Sequence, residues 1–385
     1  MRNLPFILFI GTFLFIYALA HFYVWLRLRQ LWPHHERYFW YFTIAYALLA
    51  ISFVAGRFMI HSHSLLYEII AWTGSYWLII ALYLFIAILL YDLIRLTNWL
   101  VPFLPPRGTT AYMQMRYWMF YGMFGVVLVV VLWGHWNAVH PRIKQITIST
   151  HKDFGLKRPF SIIAVSDLHM GSLVGKQRLE RMVDQINQFN PDIVILAGDL
   201  IDEAHGFIFK HDIGAPIRKL KAQYGVFAVP GNHEYIGGIA SSEKYIQTLS
   251  LQWLKDSVAQ IGNHITIIGR DDRQGYRMHG KKRKNLQDLL ANVDPSTFNI
   301  LVDHQPFHLE ETAKYPIDLQ ISGHTHNGQF WPFNHVVQWV YTLPYGYAKI
   351  GNTHFYVSSG YGTWGPPVRI ATIPEIVHIL VVTRP

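Results

Sequence analysis

Four stretches of this chain contain no Asp, Glu, Lys or Arg: Leu4 to Leu26, Tyr38 to Gly56, Ile69 to Tyr91 and Tyr117 to Val139. Each is near the roughly 20 apolar residues that carry a helix across a bilayer. A bilayer core narrows the choice of structure sharply, because every backbone N–H and C=O must be bonded within the segment. The sequence therefore predicts a four-helix transmembrane domain over residues 1–140. Taken singly, any one stretch also fits a buried core helix, the second most readily because it is shorter and full of Tyr, Trp and Thr. The first is no cleavable signal peptide: it is too long and aromatic, lacks a small-residue cleavage site and is followed by further apolar segments. Aromatic side chains crowd the ends, as in Phe22-Tyr23-Val24-Trp25, Tyr38-Phe39-Trp40-Tyr41 and Trp133, which suits anchoring among headgroups.

Four spans put the N-terminus and the remainder of the chain on one side. The first and third loops carry Arg27, Arg29, Arg37, Arg95, Arg107 and Arg116, against Arg2, Arg57, Arg142 and Lys144 on the other side. Six against four favours cytoplasmic loops and an extracytoplasmic C-terminal domain in a multi-pass cell-membrane protein. The third loop contains Leu104-Pro105-Pro106-Arg107-Gly108, a rigid turn rather than a binding motif.

Charge confirms the division. Residues 1–140 hold eight Arg, no Lys and three acidic residues of the chain's 33 basic and 24 acidic, leaving 25 and 21 for residues 141–385. More than half of the net charge of +9 thus lies in the apolar part. With no basic helix and no RNA-binding aromatic motif, nucleic-acid binding is not expected. A chain of 385 residues is long enough for two domains. Zero cysteines excludes disulfides and thiolate ligands, so a metal would be held by His, Asp, Glu or Asn.

From about Pro141 the pattern changes. Phe160 to Val165, Ile193 to Ala197, Val226 to Val229, Phe298 to Val302 and Asp318 to Ile321 are short apolar runs, as strands covered on both faces should be. Between the first two, Lys176 to Phe189 places Leu179, Met182, Val183 and Ile186 at helical spacing, and Pro191 stops the helix. Strand, helix, strand predicts an α/β domain with parallel pairing. Ligands in such sheets collect beyond the carboxyl ends of the strands. Five polar clusters fall there: Asp167-Leu-His169, Gly198-Asp199, Gly231-Asn232-His233-Glu234, Asp303-His304 and Ser322-Gly-His-Thr-His-Asn-Gly-Gln329.

Two divalent cations a few Å apart need roughly eight N and O ligands, one of them a shared carboxylate. The candidate ligands are Asp167, His169, Asp199, Asn232, His304, His324 and His326. Asp199 is the choice for the bridging position, since Gly198 gives its backbone room to approach both cations. Asn232 offers a neutral carbonyl oxygen, limiting negative charge where a phosphate must bind. His233, beside a ligand, is free to donate a proton or a hydrogen bond.

These motifs, in this order, resemble the calcineurin-like metallophosphoesterases: Asp-x-His, Gly-Asp, Gly-Asn-His-Glu, a later His before Gln-Pro, and Gly-His-x-His. Gly269 to Asp272, and the tail from Val357-Ser-Ser-Gly360 through Pro374-Glu375, look like the membrane-linked branch of that family. The resemblance covers about residues 145–383 and implies an α/β four-layer α-β-β-α sandwich. It assigns Asp167, His169 and His326 to one cation, Asn232, His304 and His324 to the other, and Asp199 between them. The two ions would be drawn from Mn, Zn, Fe, Ni and Co. It also implies hydrolysis of a phosphoester or pyrophosphate by in-line attack of a metal-bridging hydroxide. Asp199 and His233 are then the catalytic candidates, His233 acting at the leaving oxygen with Glu234 or Asp202 to orient it. Asn327 departs from the glycine common in the branch and bears on the shape of the substrate pocket.

Each piece also has a plainer explanation. Asp199 and Asn232 taken separately could be turn residues, and His61, His63, His135, His205, His211 and His279 receive no role. A structural zinc site does not fit a chain without cysteine. Lys281-Lys-Arg-Lys284, with Arg270, Arg273 and Arg277, is either a solvated loop face or a contact for phosphate or anionic headgroups. Phe330-Trp331-Pro332-Phe333 and Trp339 to Tyr341 form either a core hairpin or a rim resting on the bilayer. The expected substrate is a phosphorylated compound, a lipid-linked phosphate or a nucleotide sugar among the choices, with oligomeric state left open. The alternative function is a non-catalytic membrane receptor or scaffold binding a phosphorylated ligand. Transport lacks support, because the uncharged stretches hold no coupling residue.

Overall fold

The computed structural model describes residues 4–32, 34–59, 64–202 and 205–384, so Arg2, His61 and His63 lie outside the described residues, as does the side chain of His205. The chain divides into two compact units, Met1–Trp133 and Gly134–Pro385. The first holds helices α1 (Leu4–Leu31), α2 (Glu36–Phe58), α3 (Leu65–Leu100) and most of α4 (Thr110–Val139). All four are long and apolar enough to cross a membrane. They run past the uncharged stretches. Thus α3 takes in Asp92, whose carboxylate pairs with Arg27 of α1 at 2.7 Å and accepts the Tyr23 hydroxyl at 2.6 Å. Gly74 lets α3 lie against the backbone of Ser52 and Phe53 on α2, the close approach that small residues permit between apolar helices.

The second unit is built on two six-stranded mixed sheets. Its strands are β1 (Arg142–Thr150), β2 (Phe160–Val165), β3 (Ile193–Ala197), β4 (Val226–Val229), β5 (Gln252–Trp253), β6 (Ser257–Ile261), β7 (Ile265–Gly269), β8 (Phe298–Val302), β9 (Leu319–Ser322), β10 (Gly346–Ile350), β11 (Thr353–Val357) and β12 (Glu375–Thr383). The first sheet has the order β1-β12-β2-β3-β4-β5 and the second β10-β11-β9-β8-β7-β6. β2, β3 and β4 are parallel neighbours in one sheet, and β7, β8 and β9 in the other, which is the pairing expected of fully buried apolar runs. β12 runs antiparallel to β2 and parallel to β1, so the tail of the chain closes the first sheet.

The helices of this unit are α5 (Lys176–Asn187), α6 (His205–His211), α7 (Asn232–Gly237), α8 (Ile239–Ile246), α9 (Gln274–His279), α10 (Leu286–Leu290), α11 (Leu309–Thr312) and α12 (Phe333–Val340). Ile162, Ile195, Phe227, Ile267, Ile300, Ile321 and Ile379 fill one core between the two sheets. Outside the first sheet, Leu179, Met182, Val183 and Ile186 of α5 cover Ile163, Val194 and Leu196. Outside the second, Leu286, Leu289 and Leu290 of α10 cover Ile268 and Leu301. The result is the four-layer α-β-β-α sandwich. Each fully buried aliphatic side chain contributes about 1.5–3 kcal/mol, so the layers hold the strand ends rigidly enough to position polar loops beyond them. No core hairpin forms from Phe330 to Tyr341: Phe330 is buried, but Trp331, Phe333 and Trp339 are exposed, and the segment is the helix α12.

Candidate metal centre

The loops after β2, β3, β4, β8 and β9 meet in one place. The nitrogen and oxygen ends of Asp167, His169 and His326 lie within 4.8 Å of one another, and so do those of Asp199, His304 and His324. His169 Nε2 is 3.0 Å from His326 Nε2, and His326 Nε2 is 3.5 Å from Asp167 Oδ1. One oxygen joins the two triads: Asp199 Oδ2 stands 3.0 Å from His304 Nε2 and 3.9 Å from His169 Nε2. Asn232 opens α7 between Gly231 and His233, both of which touch Asp199. Six of the seven candidate ligands named from the sequence are therefore gathered at the carboxyl ends of the two sheets, and Asn232 is placed beside them by its neighbours Gly231 and His233.

Backbone geometry makes this possible and is not relaxed. Asp167, His169, Asp199, His324 and His326 all have φ between 47° and 72°, the left-handed region that non-glycine residues seldom enter. Such residues cost about 1–3 kcal/mol each and cluster where a site needs its side chains aimed. Gly198 (φ 86°) lies against the His304 ring, and a Cβ on Gly231 would collide with the Asp199 carboxylate and amide. The signal for these glycines is in the sequence; the strain in their neighbours is not.

His304 Nδ1 donates to Ala197 O at 2.7 Å, which aims Nε2 at Asp199 Oδ2, 3.0 Å away. Asn232 Oδ1 is buried and unbonded. An unpaired buried acceptor ordinarily costs about 1–3 kcal/mol; a cation removes that cost. Burial pushes the Asp167 carboxyl up, with the Asp199 charge adding to it. Burial lowers His324 to about 3 and, with His169 and Arg369 nearby, holds His326 well below its usual range. Both imidazoles are thus neutral and have lone pairs to offer at neutral pH. A donor set of imidazoles, carboxylates and one amide oxygen fits two divalent cations of the Mn-to-Zn series.

His233 sits at the edge of the centre, its ring 4.6 Å from that of His169. Of the two residues expected to orient it, only Asp202 does so. Asp202 Oδ1 is 3.1 Å from His233 Nδ1 and 3.2 Å from His169 Nδ1, so one carboxylate steadies both rings. Burial alone would lower His233, but the Asp199 and Asp202 charges outweigh it and push it up to about 9. Glu234 faces the other way, accepting the backbone N–H of Gly231 (2.7 Å), Ile201 (2.9 Å) and Asp199 (3.1 Å), and pins the loops that carry the centre.

Several contributors had no structural role assigned from the sequence. Ser166 Oγ donates to Asp167 Oδ2 at 2.5 Å. Behind His304, Asp303 is clamped by Arg283 at 2.9 Å and Arg270 at 3.5 Å, which absorbs part of the basic run into the domain's own structure. Arg369, fully buried, donates through Nη2 to Gly362 O (2.7 Å) and Gly360 O (3.2 Å) and lies 3.2 Å from His326 Nδ1. Asn327 adopts φ 48° beside it, so the residue that departs from glycine still takes a glycine-like conformation.

A four-layer sandwich with carboxylates and imidazoles gathered at its strand ends defines the metallophosphoesterase class. Residues 160–328, which include every candidate ligand, match the family of calcineurin-like phosphoesterases. An uncharacterized metallophosphoesterase of Helicobacter pylori strain J99 is 34% identical over 253 residues, 63% of this chain and 64% of that protein. The match thus spans just under two thirds of that relative. One from Campylobacter jejuni is 27% identical over 384 residues, 97% of each chain. A bovine transmembrane protein with metallophosphoesterase domain is 29% identical over 281 residues, 68% of this chain and 62% of that one. Together with the four apolar helices, these relatives mark a membrane protein with a metallophosphoesterase domain.

Proposed function

We propose that the chain is a membrane-anchored phosphoric ester hydrolase acting on a phosphomonoester, phosphodiester or pyrophosphate. Asp167, His169 and His326 would hold one divalent cation, Asn232, His304 and His324 the other, and Asp199 would face both. The observation that carries this reading is the convergence of the two triads on the Asp199 carboxylate, together with the buried and unbonded Asn232 Oδ1. When bound, the cations would supply Lewis acidity to the phosphoryl oxygens and acidify a water to near neutral pH. The remaining work belongs to the chain. Asp199 sets its charge between the two triads. Asp202 fixes the His169 and His233 rings through their Nδ1 atoms, and His233 would give a proton to the leaving oxygen. The arginine count of the loops supports an extracytoplasmic site.

The test is hydrolysis of p-nitrophenyl phosphate and bis-p-nitrophenyl phosphate by the full chain in detergent, across Mn, Co, Ni and Zn. Asp199→Asn removes the charge shared by both triads and should cost several kcal/mol of transition-state stabilisation, about 10³-fold in rate. Equal turnover in the variant would overturn the assignment. Tight binding of phosphate compounds without turnover under every metal would favour the receptor reading instead.

A further inference from the structure

Helix α12 reverses the usual relation between pattern and burial. Phe333, Val336, Val337 and Val340 recur at i, i+3, i+4 and i+7, the same stripe that Leu179, Met182, Val183 and Ile186 make on α5. On α5 every member of the stripe is buried. On α12 no residue is: Phe333 is 45%, Val336 45% and Val340 58% exposed, and Trp339 beside the stripe is 85% exposed. A contiguous apolar face of this kind on a folded domain marks a contact surface.

Two observations say what covers it. At the start of α12, Trp331 N donates to Ile370 O at 3.0 Å. Ile370 and Val368 pack on Gly134, and Arg369 N donates to Gly134 O at 2.9 Å. Gly134 begins the last six residues of α4, a helix long and apolar enough to cross a membrane, and Asn137 of the same turns donates to Arg369 O (3.0 Å) and Thr372 O (2.7 Å). One short segment, Val368 to Thr372, therefore holds the end of a membrane helix on one side and the entry to α12 on the other.

The surroundings of α12's far end are basic. The Tyr341 ring, directly after the helix, lies 4.9 Å from that of Phe307, over which the Arg273 guanidinium sits at 5.3 Å. Next to Arg273 in sequence, Arg277, Lys281, Lys282 and Lys284 are exposed, together with Tyr276 and Met278. An apolar stripe with Trp and Phe, flanked by cations, complements the headgroup region of an anionic bilayer.

We propose that α12 is an interfacial helix that lays its Phe333, Val336, Trp339 and Val340 face into the surface of the bilayer. The metal centre is then held at headgroup level, since the His324 ring is 6.2 Å from Tyr341. The substrate class favoured by this seating is a phosphate-bearing membrane lipid; that part rests on the phosphoesterase reading above, whereas the seating of the helix does not.

The chain has no cysteine, so single cysteines can be labelled without background. Val336→Cys, Val340→Cys and Gln338→Cys, each carrying an NBD fluorophore, are compared in full-length protein reconstituted into phosphatidylcholine/phosphatidylglycerol vesicles. Labels at 336 and 340 should be quenched by shallow nitroxide lipids and shielded from aqueous iodide about tenfold better than the label at 338, as for a helix lying in the interface. Equal iodide quenching at all three positions, with no response to nitroxide lipid, would overturn the proposal. In a second arm, Phe333→Ser combined with Val336→Ser and Val340→Ser should leave bis-p-nitrophenyl phosphate hydrolysis within about twofold while hydrolysis of vesicle-borne phosphatidic acid falls about tenfold. An unchanged ratio of the two activities would count against the lipid substrate. Should the parent protein hydrolyse neither compound, the phosphoesterase reading fails, and the fluorescence result still decides the seating of α12.

Discussion

Replacing Gly198 by alanine tests the centre through a single methyl group. At φ 86° the glycine occupies backbone space that an L-residue enters at a cost of about 1–3 kcal/mol. The new Cβ would also meet Nδ1, Cγ and Cβ of His304, too close for any of them to stay in place. That ring cannot yield freely, because it is fully buried and its Nδ1–H is bonded to Ala197 O at 2.7 Å. Pushing it aside removes that bond and leaves the carbonyl unpaired, a further ~1–3 kcal/mol. The sum is roughly 2–6 kcal/mol, concentrated on the imidazole whose Nε2 stands 3.0 Å from Asp199 Oδ2. Gly198→Ala should therefore lower affinity for the cation proposed at Asn232, His304 and His324 by at least about 10–100-fold, the usual effect of disturbing a group that orients a ligand. The cation proposed at Asp167, His169 and His326 should be weakened less. Metal content per chain, measured by plasma mass spectrometry after dialysis against graded chelator, separates the two. A variant that keeps two cations as tightly as the parent would refute the reasoning, since it would mean that the His304 position does not depend on the missing side chain at residue 198.

Glu234→Ala deprives three buried backbone N–H groups of their acceptor and should destabilise the second unit by roughly 3 kcal/mol or more, with Glu234→Gln milder because one oxygen remains; thermal unfolding in detergent reads both, and equal midpoints would show that the loops are held otherwise. Arg283→Met leaves Asp303 buried with Arg270 alone at 3.5 Å and should cost about 3–5 kcal/mol at neutral pH. Burial by itself would raise the Asp303 carboxyl, but Arg283, Arg270 and Arg273 outweigh it and hold it below the usual range. Its contribution is accordingly complete above the unfolded-state value of about 3.9 and is lost as pH falls through the lower folded value, so the difference between parent and Arg283→Met should shrink only below about pH 4. A difference that stays constant down to the acid transition would show that the ion pair is not its source.

Much of the molecule was legible along the chain, and for a physical reason. Periodicity and charge depletion are local properties, so the four apolar helices, α5 with its buried stripe and the runs that became β2, β3, β4, β8 and β9 could be read from neighbours in sequence. The residues proposed as ligands stood out along the chain because a centre for cations would demand particular side chains directly after those strands, next to glycines that make room. What only the tertiary structure decided is which groups meet. It chose Asp202 over Glu234 as the partner of His233. It set Arg369, 43 positions along the chain, beside His326, and it folded Arg270 and Arg283 inward onto Asp303. It also left the stripe of α12 uncovered, where the same spacing on α5 is buried. A periodic pattern specifies that a helix has an apolar face; it carries no information on whether another part of the chain will arrive to cover that face, because that depends on where distant segments end in space.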